Sequence, residues 1–181
     1  MPRHDETKTI PYRPDQIFDL VADVAKYPEF LPWCSAAKLR SQTETELVAD
    51  LTIGFGPFRE SFTSRVSLER PERIRVRYEN GPFRYLNNEW NFNPDPRGCR
   101  VHFFVDFEFR SRLLQMAIGA VFNEAVRRMV NAFMSRARAV YGAPAVQPGS
   151  GGTGPGSAKS VEVGRDAAAM LPRPAPEAAS K

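Results

Sequence analysis

The 181-residue chain has only two histidines and two cysteines. His4 stands near the N-terminus and His102 falls on the polar phase of an alternating stretch. A Ser-His-Asp or Cys-His centre needs a nucleophile and an oriented base within reach of each other, and no spacing here suggests one. No HExxH, Walker loop, GxGxxG or paired-cysteine metal signature occurs, so no catalytic residue, metal or cofactor is expected. Cys34 and Cys99 are 65 residues apart with no CxxC partner. Two cysteines cannot build a disulfide scaffold, and they read as reduced thiols of a cytosolic protein. Long apolar runs are also missing; none approaches the roughly 18–20 residues a membrane span needs. The opening MPRHDETKTI lacks the apolar stretch of a secretory signal, and Asp5 and Glu6 argue against a transit peptide. The net charge of +4 permits an anionic partner without demanding one.

Aromatic residues are absent from the last part of the chain. All 20 lie in 1–142, whereas 143–181 has none and is 12 parts Gly or Pro in 39. Such a stretch cannot bury enough apolar surface to offset its ordering entropy, so 143–181 is expected to be a disordered Gly/Pro/Ala-rich tail. The preceding residues, about 142, form one domain large enough for a sizeable core.

Within that domain, residues 5–11 read as a strand. Pro14–Ala22 reads as a short helix, with proline at a first helical position and Asp15 at the positive end of the dipole. Pro28 and Pro32 limit Tyr27–Cys34 to a turn or two of helix followed by a bend. From 35 to 110 the period is two. Leu47, Ala49, Leu51 and Ile53 alternate with polar residues, as do Ile74, Val76 and Tyr78, then Leu86, Trp90 and Phe92, then Val101, Phe103, Val105, Phe107 and Phe109. Turn signals at Gly56-Pro57, Arg70-Pro71, Asn80-Gly81-Pro82 and Asn93–Gly98 are closely spaced, which favours an antiparallel meander. Residues 111–141 change to helical spacing, with Ser111 placed to cap the start and Gly142 to stop the helix. The sequence therefore predicts an α+β fold: about seven antiparallel strands curved around a long C-terminal helix, with two short helices after the first strand. The last helix is the only element long enough to cover the sheet, and large aromatics can hold it off and leave a tunnel.

This order of elements resembles the START-like, or helix-grip, superfamily. Val21–Cys34, with its Tyr-Pro-Glu-Phe-Leu-Pro-Trp-Cys run, is similar to the signature of the coenzyme Q-binding branch. That branch includes the mitochondrial coenzyme Q-binding proteins and the bacterial RatA ribosome-association toxins, and is grouped with polyketide cyclase/dehydrase domains. Pro11–Val21, Phe83–Phe92 and Phe107–Ser111 match as well, so the resemblance covers about residues 4–141. It implies non-enzymatic binding of ubiquinone, as a quinone chaperone supporting respiration. Its alternative implication is a RatA-type regulator that engages the large (50S) ribosomal subunit and blocks subunit association. The superfamily also contains cyclases and dehydratases, and fold does not fix function.

The candidate tunnel is framed by Phe62 and Trp90 on the central strands, Phe103, Val105 and Phe107 on the last, and Phe122, Val126 and Met129 on the long helix. Glu60, Ser64 and Asn88 share the apolar phase of their strands, and polar groups facing an apolar cavity need partners. A quinone oxygen can accept from Ser64 or Asn88; alternatively Glu60 sits in water near an edge and Asn88 bonds to backbone. Tyr27, Phe30, Leu31 and Trp33 make a stiff aromatic lip at the mouth, or simply cap the open sheet. Arg59, Arg65, Arg73, Arg75 and Arg77 fall on the polar phase of two neighbouring strands. They form a patch suited to phosphate of an anionic membrane or of RNA, or a solvated face balanced by Glu69, Glu72, Glu79 and Glu89. The resulting picture is a bacterial cytoplasmic protein that visits the inner membrane.

Overall fold

The computed structural model describes residues 2–144; the expectation of disorder for 145–181 lies outside the described residues. Strand β1 (Arg3–Ile10) leads into helix α1 (Pro14–Ala22), a 3-10 turn (Val24–Lys26) and helix α2 (Tyr27–Phe30). Six strands follow: β2 (Cys34–Gln42), β3 (Glu46–Phe55), β4 (Phe58–Glu69), β5 (Arg73–Asn80), β6 (Phe83–Asp95) and β7 (Gly98–Phe109). Helix α3 (Arg112–Tyr141) ends the fold. These seven strands form one curved antiparallel sheet in the order β1-β7-β6-β5-β4-β3-β2. This is the expected architecture. The first strand begins earlier than residue 5, because Arg3 and His4 pair with Asp106 and Val105. It stops at Ile10, since Pro11 has no N–H to give the ladder.

Local chemistry sets the helix ends. The Gln16 side chain accepts from the Arg13 backbone N–H at 3.0 Å, and Pro14 opens α1. Leu31 turns extended (φ −87°, ψ 116°) ahead of Pro32, which ends α2 after four residues. The Ser111 hydroxyl accepts from Leu114 N–H at 3.3 Å at the start of α3, and Gly142 closes it at φ +79°. Tyr12 O–H donates to the Gly142 carbonyl at 2.9 Å and Tyr141 O–H to the Gln16 carbonyl at 3.0 Å, so the end of α3 is tied to α1.

The concave face carries two buried clusters. One joins α1 (Ile17, Phe18, Leu20, Val21) to Leu47, Val66, Ile74, Phe92 and Val101 of the sheet, with Phe18 set edge-on to Phe92 at 5.6 Å. The other joins the first half of α3 (Leu114, Ile118, Val126) to Phe83, Phe103, Val105, Phe107 and Phe109. The expectation that α3 alone covers the sheet is therefore corrected. Helix α1 is short, but four of its nine residues are buried apolar side chains, and it closes one half of the concave face.

Gly81 carries the β5–β6 turn at φ +136°. A methyl group there would lie 2.7 Å from Phe62 Cβ and 2.8 Å from the Ser61 carbonyl, so only glycine lets this turn approach β4 so closely. Arg110 ties the start of α3 to the same turn: its N–H donates to the Pro82 carbonyl at 2.9 Å and its Nε to the Phe83 carbonyl at 3.0 Å.

Candidate functional site

Between sheet and α3 the two buried clusters do not close on each other. Aromatic struts span the gap: Trp90 meets Phe133 of α3 at 5.7 Å, and Phe107 meets Phe122 of α3 at 5.4 Å. Rings are long and rigid, so they hold the helix away from the sheet at both ends of the contact. What remains is a two-lobed cavity.

The inner lobe, about 180 Å³, lies under α1 and α2, with walls that include Val21, Val24, Tyr27, Leu31, Cys34, Ser64, Ile74 and Val76. The outer lobe, about 190 Å³, lies under the first half of α3, against Phe83, Phe103, Val105, Phe107, Phe122 and Val126. Trp33, Phe62, Leu86, Asn88 and Met129 line both and form the waist between them. Together the lobes reach the low end of the roughly 300–1,000 Å³ of small-molecule sites. A funnel of about 430 Å³ opens to solvent beside Pro32, Trp33, Pro57, Phe58, Val121 and Ala125; it shares Trp33 and Ala125 with the outer lobe.

The expected tunnel residues largely come together. Tyr27, Leu31, Trp33, Phe62, Ser64, Asn88, Trp90 and Met129 line the inner lobe, and Phe103, Val105, Phe107, Phe122 and Val126 the outer. Phe30 does not join them. Its ring lies outside, edge-on to Phe133 at 5.2 Å and beneath the Arg136 guanidinium at 5.4 Å. The reason is helical phase: Tyr27 and Leu31 are four residues apart and turn inward, and Phe30 turns away. Glu60 is half-buried opposite Ile53 near the β3–β4 turn and lines neither lobe.

Among the described residues no charged side chain lines either lobe. The two titratable groups that do are held neutral by burial. The Tyr27 hydroxyl donates to the Val21 carbonyl at 2.5 Å, and burial pushes its pKa well above the usual phenol value. Burial likewise pushes the Cys34 thiol up to about 11. Three polar atoms are buried on the concave face without a hydrogen-bond partner among the described residues: Ser64 Oγ, Tyr78 Oη and Asn88 Oδ1. Tyr78 is absent from the sequence-based set of site residues. Its signal is nevertheless present, since it shares the phase of Ile74 and Val76, so its hydroxyl has to end inside.

On the convex face Arg65 is directly opposite Arg77 across β4 and β5, with Arg73 and Arg75 further along β5, whereas Arg59 stands six residues from Arg65 beside the β3–β4 turn. Carboxylates answer three of them. Arg65 meets Glu46 at 2.5 Å and Glu79 at 2.6 Å, Arg73 meets Glu69 at 2.5 Å, and Arg75 meets Glu89 at 3.3 Å. Arg59 and Arg77 have no carboxylate partner among the described residues. The face is thus a lattice of alternating charge in which these two cations stay unanswered, and its exposed pairs contribute little to stability. His102 lies on this outer side, 2.9 Å from Asp5, away from the cavity. Among the described residues no cluster of His, Cys, Asp and Glu is arranged to hold a metal, and no helix is long and apolar enough to cross a membrane.

Known proteins share this arrangement. The chain is 36% identical over 144 residues to the ribosome association toxin RatA of Escherichia coli, covering 79% of this chain and 91% of that one. It is 34% identical over 144 residues to the mitochondrial coenzyme Q-binding protein COQ10 homolog B of Xenopus laevis, covering 77% of this chain and 59% of that one. An 18 kDa protein from Caulobacter crescentus, solved in solution, superposes with a TM-score of 0.65 at 37% identity, over 79% of this chain and 100% of its own. The family model described as polyketide cyclase / dehydrase and lipid transport matches residues 10–134. The seven-stranded sheet gripping α3, the cavity between them and these matches agree, and the chain belongs to this START-like polyketide cyclase / dehydrase and lipid transport family.

Proposed function

We propose that this protein binds a prenyl quinone in the two-lobed cavity and carries it, unaltered, in support of respiration. The observation that carries the reading is the lining of the two lobes: mostly aromatic and aliphatic, free of charge among the described residues, and opening to solvent through a lipped funnel beside Trp33. An isoprenoid chain gains from such walls roughly 25 cal/mol per Å² of apolar surface removed from water. Tyr27 and Cys34, the titratable groups that line the lobes among the described residues, are held neutral by burial, which supports carriage over conversion. Similarity to the coenzyme Q-binding relative supports a quinone as the ligand. On this reading the protein works in the cytoplasm and reaches the inner membrane from its surface. Organic extraction of the purified protein followed by mass spectrometry tests this reading. Prenyl quinone recovered in near-stoichiometric amount is the expected result; its complete absence from protein expressed in a quinone-producing host refutes it.

A second reading has its own support. The RatA relative is matched over 91% of its length, and Arg59 and Arg77 lack carboxylate partners on the convex face among the described residues. On this reading the convex face engages phosphate of the 50S subunit. Co-sedimentation with purified 50S subunits that falls steeply with salt is the expected result, and salt-independent or absent co-sedimentation excludes it.

A further inference from the structure

The orphaned oxygens on the concave face are not scattered. Ser64 on β4 is directly opposite Tyr78 on β5, and Asn88 on β6 is opposite Val76, two residues along β5 from Tyr78. Side chains two apart on a strand share a face, so the three form one diagonal row across adjacent strands. Ser64 is fully buried, at 0% exposure, and lines the inner lobe; Asn88 lines the waist. A buried polar atom left unpaired costs about 1–3 kcal/mol. Tyr78 lines neither lobe, so the two that face the otherwise apolar cavity, Ser64 and Asn88, are those a partner inside it can reach.

We propose that Ser64 and Asn88 are the receptor for the oxygenated ring of the ligand, which enters head-first, its apolar chain filling the outer lobe and leaving through the funnel. This rests on the reading above and adds orientation and ligand chemistry to it. Ser64 borders the inner lobe and Asn88 the waist, whereas the outer lobe has, apart from waist residues, only apolar walls. Beyond the funnel the apolar path continues on α3, where Val121 and Met116 are exposed. The head must be uncharged, because no cation or carboxylate among the described residues lines either lobe to meet a fatty acid or a phosphate. It must also offer oxygens. A hydroxyl and a carboxamide both donate and accept, so the pair serves a quinone, which only accepts, and a quinol, which also donates. The receptor is accordingly indifferent to the redox state of its ligand.

The test uses the full chain stripped of lipid. Its two tryptophans, Trp33 and Trp90, both line the cavity, so quenching of their emission reports occupancy. The probes are a ubiquinone with one isoprene unit, its reduced quinol, and squalene as a chain without a head, the last read by competition. Ser64→Ala and Asn88→Leu are each expected to weaken the short-chain quinone about three- to tenfold, the loss of one neutral hydrogen bond, and Tyr78→Phe, outside both lobes, to leave it within about twofold. Squalene competition should stay within about twofold, and quinone and quinol should bind the wild type within about threefold of each other. The apo-protein's thermal midpoint should hold or rise in Ser64→Ala, because an unpaired hydroxyl is removed. A merely structural role would lower that midpoint and weaken both probes together, which overturns the proposal. Wild type that binds quinone while Ser64→Ala and Asn88→Leu bind it equally well also overturns it: water then serves these groups and the head sits elsewhere. Wild type that binds no quinone overturns the quinone-carrier reading and this proposal with it.

Discussion

Substituting Val126 by tryptophan separates a cavity from a packed core, because the two respond with opposite sign. Val126 lies midway along α3, is 6% exposed and faces the outer lobe of about 190 Å³. A buried indole covers about 150–250 Å². At about 25 cal/mol per Å² that is roughly 4–6 kcal/mol, of which the valine already supplies about 1.5–3. Ordering the larger side chain takes back about 1 kcal/mol. If the lobe admits the ring, the apo-protein is left between unchanged and about 3 kcal/mol more stable. For a chain of this size about 2–4 °C accompanies each kcal/mol, so the thermal midpoint should stay level or rise by up to roughly 10 °C. Bound quinone should fall severalfold, since the indole occupies the place of the chain. In a solid core the same change strains neighbouring rotamers and costs about 1–3 kcal/mol, with a falling midpoint. The assay is paired: quinone per mole of purified protein, and the midpoint of the lipid-free protein by differential scanning calorimetry. A lower midpoint together with unchanged quinone content would refute the cavity as the binding site.

Four other outcomes can be checked. Reversing the two unanswered cations, Arg59→Glu with Arg77→Glu, should reduce the log–log salt slope of 50S co-sedimentation by about 2, while reversing the already paired Arg73 and Arg75 should change it less; equal slopes would remove the convex face from the second reading. Cys34 and Cys99 each have a pKa raised by burial from 9.0 to about 11, so both stay protonated in the folded state where the unfolded chain releases protons; stability should fall as pH rises from about 9 to about 11, and a flat urea midpoint across that window would contradict the burial. Gly81→Ala should destabilise by at least about 1–3 kcal/mol, because it adds a clash with β4 to a strained φ, and an unchanged denaturation midpoint would show that the turn relaxes freely. Removing residues 145–181 should shift the thermal midpoint by less than about 2 °C, given the absence of aromatics there; a drop beyond about 5 °C would show that the segment packs on the domain.

The fold is legible in the sequence where one pattern runs long enough to repeat. Along β7, alternate residues from Cys99 to Phe109 are buried, and that alternation of residue types alone marks a strand. The same holds for α3, whose apolar residues recur at helical spacing over thirty positions. Legibility fails where the period is interrupted. A register shift between Phe83 and Tyr85 lets Phe83 face inward alongside Leu86, which has the opposite parity, and no residue type announces that bulge. Strand β2 is largely exposed at the sheet edge, so its alternation is faint. Phe30 reads as part of the lip because it sits between Tyr27 and Leu31 in a proline-rich run; the single helical turn there decides otherwise. Which arginines of β4 and β5 stand beside one another, and which meet a carboxylate, depends on cross-strand register, which no single strand encodes. Tyr78 is the clearest omission, since reading it only as an aromatic hides a hydroxyl with nowhere to bond.

The strand order also bears on how the chain reaches its native state. Six of the strands, β2 to β7, neighbour one another in the sheet in the same succession as in the chain, each pair joined by a short turn. These contacts close small loops and can form one hairpin at a time. Strand β1 is the exception. It meets β7, with Arg3 beside Asp106, so its addition closes a loop of about a hundred residues. The meander and α3 can therefore assemble before the first ten residues have found their place, and the docking of β1 is the slow, non-local step. In pulse-labelling hydrogen exchange during refolding, amides of β1 should accordingly gain protection after those of β3 to β6.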